Sequence, residues 1–242
     1  MLYLKNTIKL LFKLKYFNNF LLNNKMLSVI YISLLIFPSL QIDQSKAIII
    51  YFSRAGENYS VGKVEDGNTK MIVNYLEEVT DMPIYQIVPT TSYPEAYQET
   101  LNTVEAERSS NARPTIKDPL TDISKYDTIL LGYPIWYTNL PNIVKTQLEL
   151  LDFEGKTIYP FNTHEGSGVG NSISDIKSSA PKAIVKDGFA LKGSYARKTD
   201  SHKDIRDWLN GKLDLAVSKG EIRRIDFFKK SMFLALLAFL FL

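Results

Sequence analysis

Between residues 47 and 212 short uncharged apolar runs alternate with longer amphipathic or polar stretches. Ala47 to Phe52, AIIIYF, is β-branched or aromatic after its first residue and shows no alternation of period two. That pattern predicts a strand buried on both faces, as in a parallel sheet. Pro83 to Val88, Thr128 to Tyr133 (TILLGY, stopped by Pro134) and Thr157 to Phe161 repeat it, and a last strand is Phe189 to Leu191 or the preceding Ala183 to Val185. Helices are predicted over Thr69 to Thr80, over Tyr93 to Arg108, over Pro141 to Leu151 with Val144, Leu148 and Leu151 on one face, and over Asp204 to Leu209. The second of these has Pro94 near its start and Glu95 and Glu99 in its first turns, and reads as solvated. Ser109 to Ser124, with Pro114 and Pro119, reads as a long connection. Strands alternating with helices predict an α/β domain around a parallel sheet.

Composition supports a folded body, since 45% of the 242 residues are apolar and 12% aromatic, enough for a substantial core. The absence of Cys excludes thiolate metal sites, disulfides and cysteine nucleophiles, and only His164 and His202 are present for a histidine site. The net charge of +3 hides a division: residues 1–46 carry +5, residues 47–212 carry −4 and residues 213–242 carry +2. A mildly acidic body without a basic stripe argues against a nucleic-acid partner. The chain therefore divides into a basic and apolar extension (1–46), a folding body (47–212) and a C-terminal extension (213–242). Met26 to Leu40 is an uncharged run after a basic flank; its fifteen residues span about 22 Å as a helix, short of the roughly 30 Å of a hydrocarbon core. It reads either as a secretory signal or anchor or as an upstream extension with Met26 or later as the working start. Met232 to Leu242 reaches only about 17 Å and reads as a packing segment, a surface anchor or a spurious extension. A cytoplasmic body is expected, with membrane attachment or export following if the first segment is an anchor or a signal.

Three predicted loops carry the candidate chemistry, each at the C-terminal end of a strand. After the first strand come Ser53, Arg54, Ala55, Gly56 and Asn58, then Gly67, Asn68 and Thr69 at a helix start. Free N–H groups and the positive end of the helix dipole suit a phosphate there, with the Ser53 and Thr69 hydroxyls as extra donors, or the stretch is a plain surface turn. After the third strand, Pro134, Ile135, Trp136 and Tyr137 bring two aromatics to the edge where open α/β sheets bind ligands. One of them stacks on a planar ring, or plugs the end of the sheet. After the fourth strand, Thr163, His164, Glu165, Gly166, Ser167 and Gly168 offer close backbone approach, and His164 is either a partner to a bound ring or a solvated turn residue.

The combination YFSRAGENY, GNT, GYPIWYTNLP and NTHEGSG resembles the flavodoxin family, over about Ala47 to Gly211. The resemblance implies a doubly wound five-stranded parallel sheet of order 2-1-3-4-5 and noncovalent FMN. Its phosphate would lie in the first loop, its ring against the second, and the ring edge at the third. It also implies electron transfer to a partner protein, with NAD(P)H-dependent reduction of a quinone or other small acceptor as the alternative. Two features depart from short-loop relatives. Glu57 to Asp66 separate Gly56 from Gly67, and the third loop lacks the aromatic that covers the outer flavin face in many carriers, which leaves that face open to a substrate.

Overall fold

The computed structural model describes residues 46–212. Met26 to Leu40 and Met232 to Leu242, with the signal, anchor and extension readings placed on them, lie outside the described residues. In chain order the elements are β1 (Ala47–Tyr51), β2 (Gly56–Asn58), β3 (Gly62–Val64), α1 (Asn68–Val79), β4 (Ile84–Gln86), β5 (Val88–Pro89), α2 (Tyr97–Ser109) and β6 (Ile116–Lys117). There follow β7 (Thr128–Pro134), α3 (Asn142–Glu149), β8 (Thr157–His164), α4 (Ser172–Ser179), β9 (Ile184–Val185), β10 (Phe189–Lys192), α5 (Gly193–Ala196) and α6 (Ser201–Lys212).

The central sheet runs β10-β8-β7-β1-β4 with every pairing parallel, which is the expected 2-1-3-4-5 order. All five residues of β1 are buried, as its unbroken apolar pattern requires. Ile48 and Ile50 point with Ile129, Leu131 and Tyr133 to the face covered by Ile143, Val144 and Leu148 of α3 and Ile176 of α4. The opposite face takes α1, whose Ile72, Val73 and Leu76 are buried, and α6, whose Trp208 rings against Phe161 and Phe189. Helices on both faces make the fold a doubly wound α/β domain, and each fully buried Ile or Leu contributes about 1.5–3 kcal/mol of transfer free energy. Among the described residues no helix is long and apolar enough to cross a membrane.

Several elements differ from the sequence expectation. The inserted residues fold as an antiparallel β2–β3 hairpin. The second strand is cut to Ile84–Gln86, and β5 turns aside to pair with β6 inside the stretch read as a plain connection. Helix α4 carried no clear sequence signal, because SISDIKSS is rich in poor helix formers and buries only Ser172 and Ile176. Both candidates for the last strand exist: β9 pairs with the start of β8 and β10 with its end, and the register between them shifts by one extra residue, as at a bulge. The register that matters for function pairs Pro134 with Thr163, so the second and third loops leave the sheet side by side.

Candidate functional site

A cleft opens at the C-terminal edge of β1, β7 and β8, and all three predicted loops reach it. Ser53, Arg54, Asn58, Asn68 and Thr69 line it from the first, Pro134, Ile135, Trp136 and Tyr137 from the second, and Thr163, His164 and Glu165 from the third. Ala55, Gly56, Gly67, Gly166, Ser167 and Gly168, also candidate ligand contacts from the sequence, do not line it.

The floor of the cleft is the start of α1. Gly67 sits at its N-cap in extended conformation and brings no side-chain acceptor, so the positive end of the helix faces the loop. A Cβ at Gly67 would collide with the Arg54 carbonyl and the Ser53 hydroxyl, which is why this position needs glycine. Ser53 Oγ accepts the Lys70 N–H at 3.1 Å and so joins the strand end to the helix. Thr69 and Thr163, both buried, share a hydrogen bond of 2.8 Å between their hydroxyls, tying the first loop to the third. Two hydroxyls carry two hydrogens and this bond uses one, leaving one O–H donor for a ligand. From the far side Arg197 donates to the Asp66 carbonyl at 2.8 Å and to Asn68 Oδ1 at 3.3 Å, steadying the end of the loop.

Arg54, which lines the cleft, also holds main chain. Its Nη1 donates to the carbonyls of Ala55 at 2.8 Å and Pro94 at 3.2 Å, and its Nη2 to the Glu57 carbonyl. The guanidinium thereby fastens the inserted hairpin to the segment that leads into α2. Glu57 completes the joint: its N–H donates to the Glu95 carbonyl at 2.8 Å and its carboxylate accepts the Tyr97 N–H at 3.0 Å, at the positive end of α2.

In the second loop the two aromatics part company. Trp136 is half-buried and packs edge-on against Phe52 at 5.3 Å and Tyr93 at 4.9 Å, closing the end of the core while still lining the cleft. Tyr137 is exposed. The turn between Trp136 and Asn139 is closed by hydrogen bonds in both directions, 3.1 and 2.8 Å, with Tyr137 at φ 47° and Thr138 at φ 63°. Positive φ at both central residues is the type I′ geometry that Asn-Gly adopts easily and that a β-branched Thr resists. The turn is held by Asn139 Nδ2 donating to the Tyr137 carbonyl at 2.6 Å and by the Asn171 N–H donating to the Thr138 carbonyl at 2.7 Å. Gly170 packs on that same carbonyl, where a Cβ would collide.

At the head of the third loop, His164, the last residue of β8, accepts the Gly166 N–H through Nδ1 at 2.9 Å, which puts the proton of the neutral ring on Nε2. Burial lowers its pKa below the ordinary histidine value, against the opposing charge of Glu165, so the ring is neutral at physiological pH. Glu165 accepts the Ser194 N–H at 2.8 Å and is engaged with α5. The other histidine, His202, stacks on Tyr75 at 4.1 Å and does not line the cleft.

Sequence reasoning missed one wall. Tyr97, Thr100, Leu101 and Val104 line the cleft from α2, and Tyr59 lines it from the turn of the hairpin. The spacing i, i+3, i+4, i+7 was a usable signal for that helix face, obscured by the charged residues around it.

A doubly wound α/β domain with a cleft of loops at the C-terminal edge of its strands is a ligand-binding architecture. The chain belongs to the flavodoxin family: the family model described as Flavodoxin matches residues 46–212. It is similar to a crystal structure of a flavoprotein candidate from Bacteroides eggerthii DSM 20697, with 29% identity and a TM-score of 0.53 over 69% of this chain and 97% of that one. A flavoprotein candidate from Bacteroides uniformis ATCC 8492 is comparable, with 27% identity and a TM-score of 0.54 over 69% of this chain and 98% of that one. No curated protein matches the chain.

Proposed function

We propose that this protein binds one FMN in the cleft and works as an electron carrier that delivers electrons to a partner protein. The observation that carries the reading is the convergence of three loops, each with a different chemistry, on one cleft at the sheet edge. The residues fit the parts of FMN. The α1 N-terminus with its glycine cap, Ser53 and the spare hydroxyl of the Thr69–Thr163 pair suit a phosphate. Trp136 or Tyr137 offers a ring face to an isoalloxazine, and the Nε2–H of neutral His164 offers a donor to its edge. FMN, when bound, supplies electron storage and release in one-electron or two-electron steps.

The protein's own groups favour a carrier over a dedicated NAD(P)H enzyme. A nicotinamide dinucleotide brings an anionic tail that needs a cation beside the open ring, and Arg54 already donates to main-chain carbonyls through both Nη atoms. The net charge of −4 over residues 47–212 opposes the extra negative charge of a reduced flavin next to its phosphate, which makes the reduced form strongly reducing. Reduction of a small acceptor is the second reading, favoured by the exposed tyrosines at the mouth of the cleft.

The test begins with the full-length protein and added FMN. Flavin fluorescence should be quenched at one FMN per chain; a protein that leaves it unquenched would sink the reading. NADPH and NADH should reduce the bound flavin slowly and without saturation, whereas a flavodoxin reductase should reduce it fast. Saturating NAD(P)H oxidation at micromolar cofactor, lost in His164→Ala, would replace the carrier by the enzyme.

A further inference from the structure

The segment after the third loop, residues 169–175, contributes nothing to the cleft lining, yet it takes hold of the second loop over residues 137–140. The Asn171 N–H donates to the Thr138 carbonyl at 2.7 Å, and Gly170, at φ 51°, packs on that carbonyl with no room for a Cβ. The Asn171 side chain donates through Nδ2 to Asn139 Oδ1 at 3.1 Å, and Asn139 Nδ2 donates in turn to the Tyr137 carbonyl at 2.6 Å. Asp175 accepts the Leu140 N–H at 2.9 Å and pairs with Lys145 at 3.2 Å.

This grip is anchored in the core. Ser172 Oγ donates to the Val169 carbonyl at 2.6 Å, so the hydrogen it shares with fully buried Tyr133 comes from the Tyr133 hydroxyl, at 2.9 Å. At their other ends the two loops are joined where they leave the sheet, by the Ile135 N–H donating to the Thr163 carbonyl at 2.8 Å. The second and third loops are thereby tied at both ends into a closed frame. That frame carries Trp136, Tyr137, His164 and Glu165, all of which line the cleft.

We propose that Gly170 and Asn171 are positioning residues for the flavin ring: from outside the cleft they lock the second loop to the third, so that the aromatic and histidine parts of the ring site keep one spacing. The proposal rests on the FMN reading above. Tyr137 and Thr138 both have positive φ, a conformation that such residues hold only where the surroundings impose it, and the Asn171 and Gly170 contacts fall on that turn. Because Asn171 donates to Asn139 Oδ1, the Asn139 Nδ2 is left facing the Tyr137 carbonyl. A side chain outside the cleft therefore fixes the peptide beside a ring contact. The contacts that Gly170 and Asn171 make across the chain run to the second loop, so their loss acts on the ring and spares the phosphate end. A carrier gains from a frame fixed in advance, since little has to rearrange at each transfer.

The experiment titrates the full-length protein separately with FMN and with riboflavin by flavin fluorescence, and records the visible circular dichroism of the bound flavin. Gly170→Ala should weaken both ligands by the same factor, about tenfold, and change the dichroism. Asn171→Ala removes the bond to Asn139 and should weaken both by about threefold. Because Asn171 acts through Asn139, the double variant with Asn139→Ala should match Asn139→Ala alone. Unchanged affinities and dichroism in both single variants would overturn the proposal, as would a loss for FMN that riboflavin does not share. Asn171 is exposed, so its variant decides the question if Gly170→Ala does not fold. A wild-type protein that takes up neither flavin would end the FMN reading instead. Amide exchange at Asn139 would then decide the tie itself: it should be about threefold faster in Asn171→Ala, and an equal rate would remove Asn171 as a brace.

Discussion

Two turns at the same edge of the sheet deal with crowding in opposite ways. In the loop after β1 the backbone of α1 comes so close to the strand end that Gly67 has no room for a Cβ. In the turn after β7 the backbone takes positive φ at two successive positions, where glycine would be comfortable, yet the residues are Tyr137 and Thr138. The first loop has given up a side chain so that the start of α1 packs directly against the strand end. The second has kept its side chains at a cost of about 1–3 kcal/mol per residue, and of the two only Tyr137 lines the cleft. The difference separates a loop shaped by main-chain packing from a turn that keeps its side chains.

The largest expected effect breaks the first half of that contrast. Gly67→Ala forces a methyl into the Arg54 carbonyl and the Ser53 hydroxyl and should cost about 1–3 kcal/mol of stability by overpacking, with loss of FMN phosphate affinity. Riboflavin, which lacks the phosphate, should be affected less than FMN, as a fluorescence titration of both would show. Equal losses would place the phosphate elsewhere. The second half predicts the opposite sign. Thr138→Gly relieves a β-branched residue of positive φ and should raise stability by roughly 0.5–1 kcal/mol, even after losing its own 2.6 Å bond to the Tyr137 carbonyl. A thermal melt should rise by about 2–4 °C for each kcal/mol in a domain of this size. A melting temperature that falls would mean the turn is not strained and would weaken the case for Tyr137 as a retained functional side chain.

The same contrast explains what the chain gave away in advance. The strands and the loops after them were legible because buried parallel strands are uncharged, unalternating runs, whereas their order came only with the family resemblance. Gly67 was legible as a glycine at a helix start, but the Arg54 carbonyl it packs against was not. Tyr59 was not, since its place depends on the ten inserted residues folding as a hairpin and on Arg54 reaching Pro94, forty positions away. Tyr97 was hidden by Glu95 and Glu99, which made α2 look solvated although Thr100 and Val104 are buried. Nor could sequence divide Trp136 from Tyr137, because their separation comes from an I′ turn in residues that do not advertise one. Nor could sequence show the carbonyls of Ala55, Glu57 and Pro94 that Arg54 holds.

The smallest effect concerns the wall that the second turn leans on. Tyr93 packs edge-on against Trp136 at 4.9 Å and donates its hydroxyl to the Glu107 carboxylate at 3.1 Å. Burial raises the Glu107 pKa above the ordinary carboxylate value, and the bond from Tyr93 only partly offsets it. Between the unfolded value and the raised folded one, the native state holds more protons than the unfolded chain, so stability falls as pH rises through that window. The contribution is fully present below the unfolded pKa and is gone above the folded one. Glu107→Gln keeps an acceptor for Tyr93 without a charge to bury, so the variant should be slightly more stable than wild type at pH 7. Because Glu107 is only half-buried, solvent screening keeps the gain small. Denaturant midpoints should show the two proteins converging as pH is lowered towards about 4, near the unfolded carboxylate pKa. A gap that stayed constant or widened on acidification would mean that Glu107 is not held against its charge, and that the wall behind Trp136 draws nothing from a protonated carboxyl.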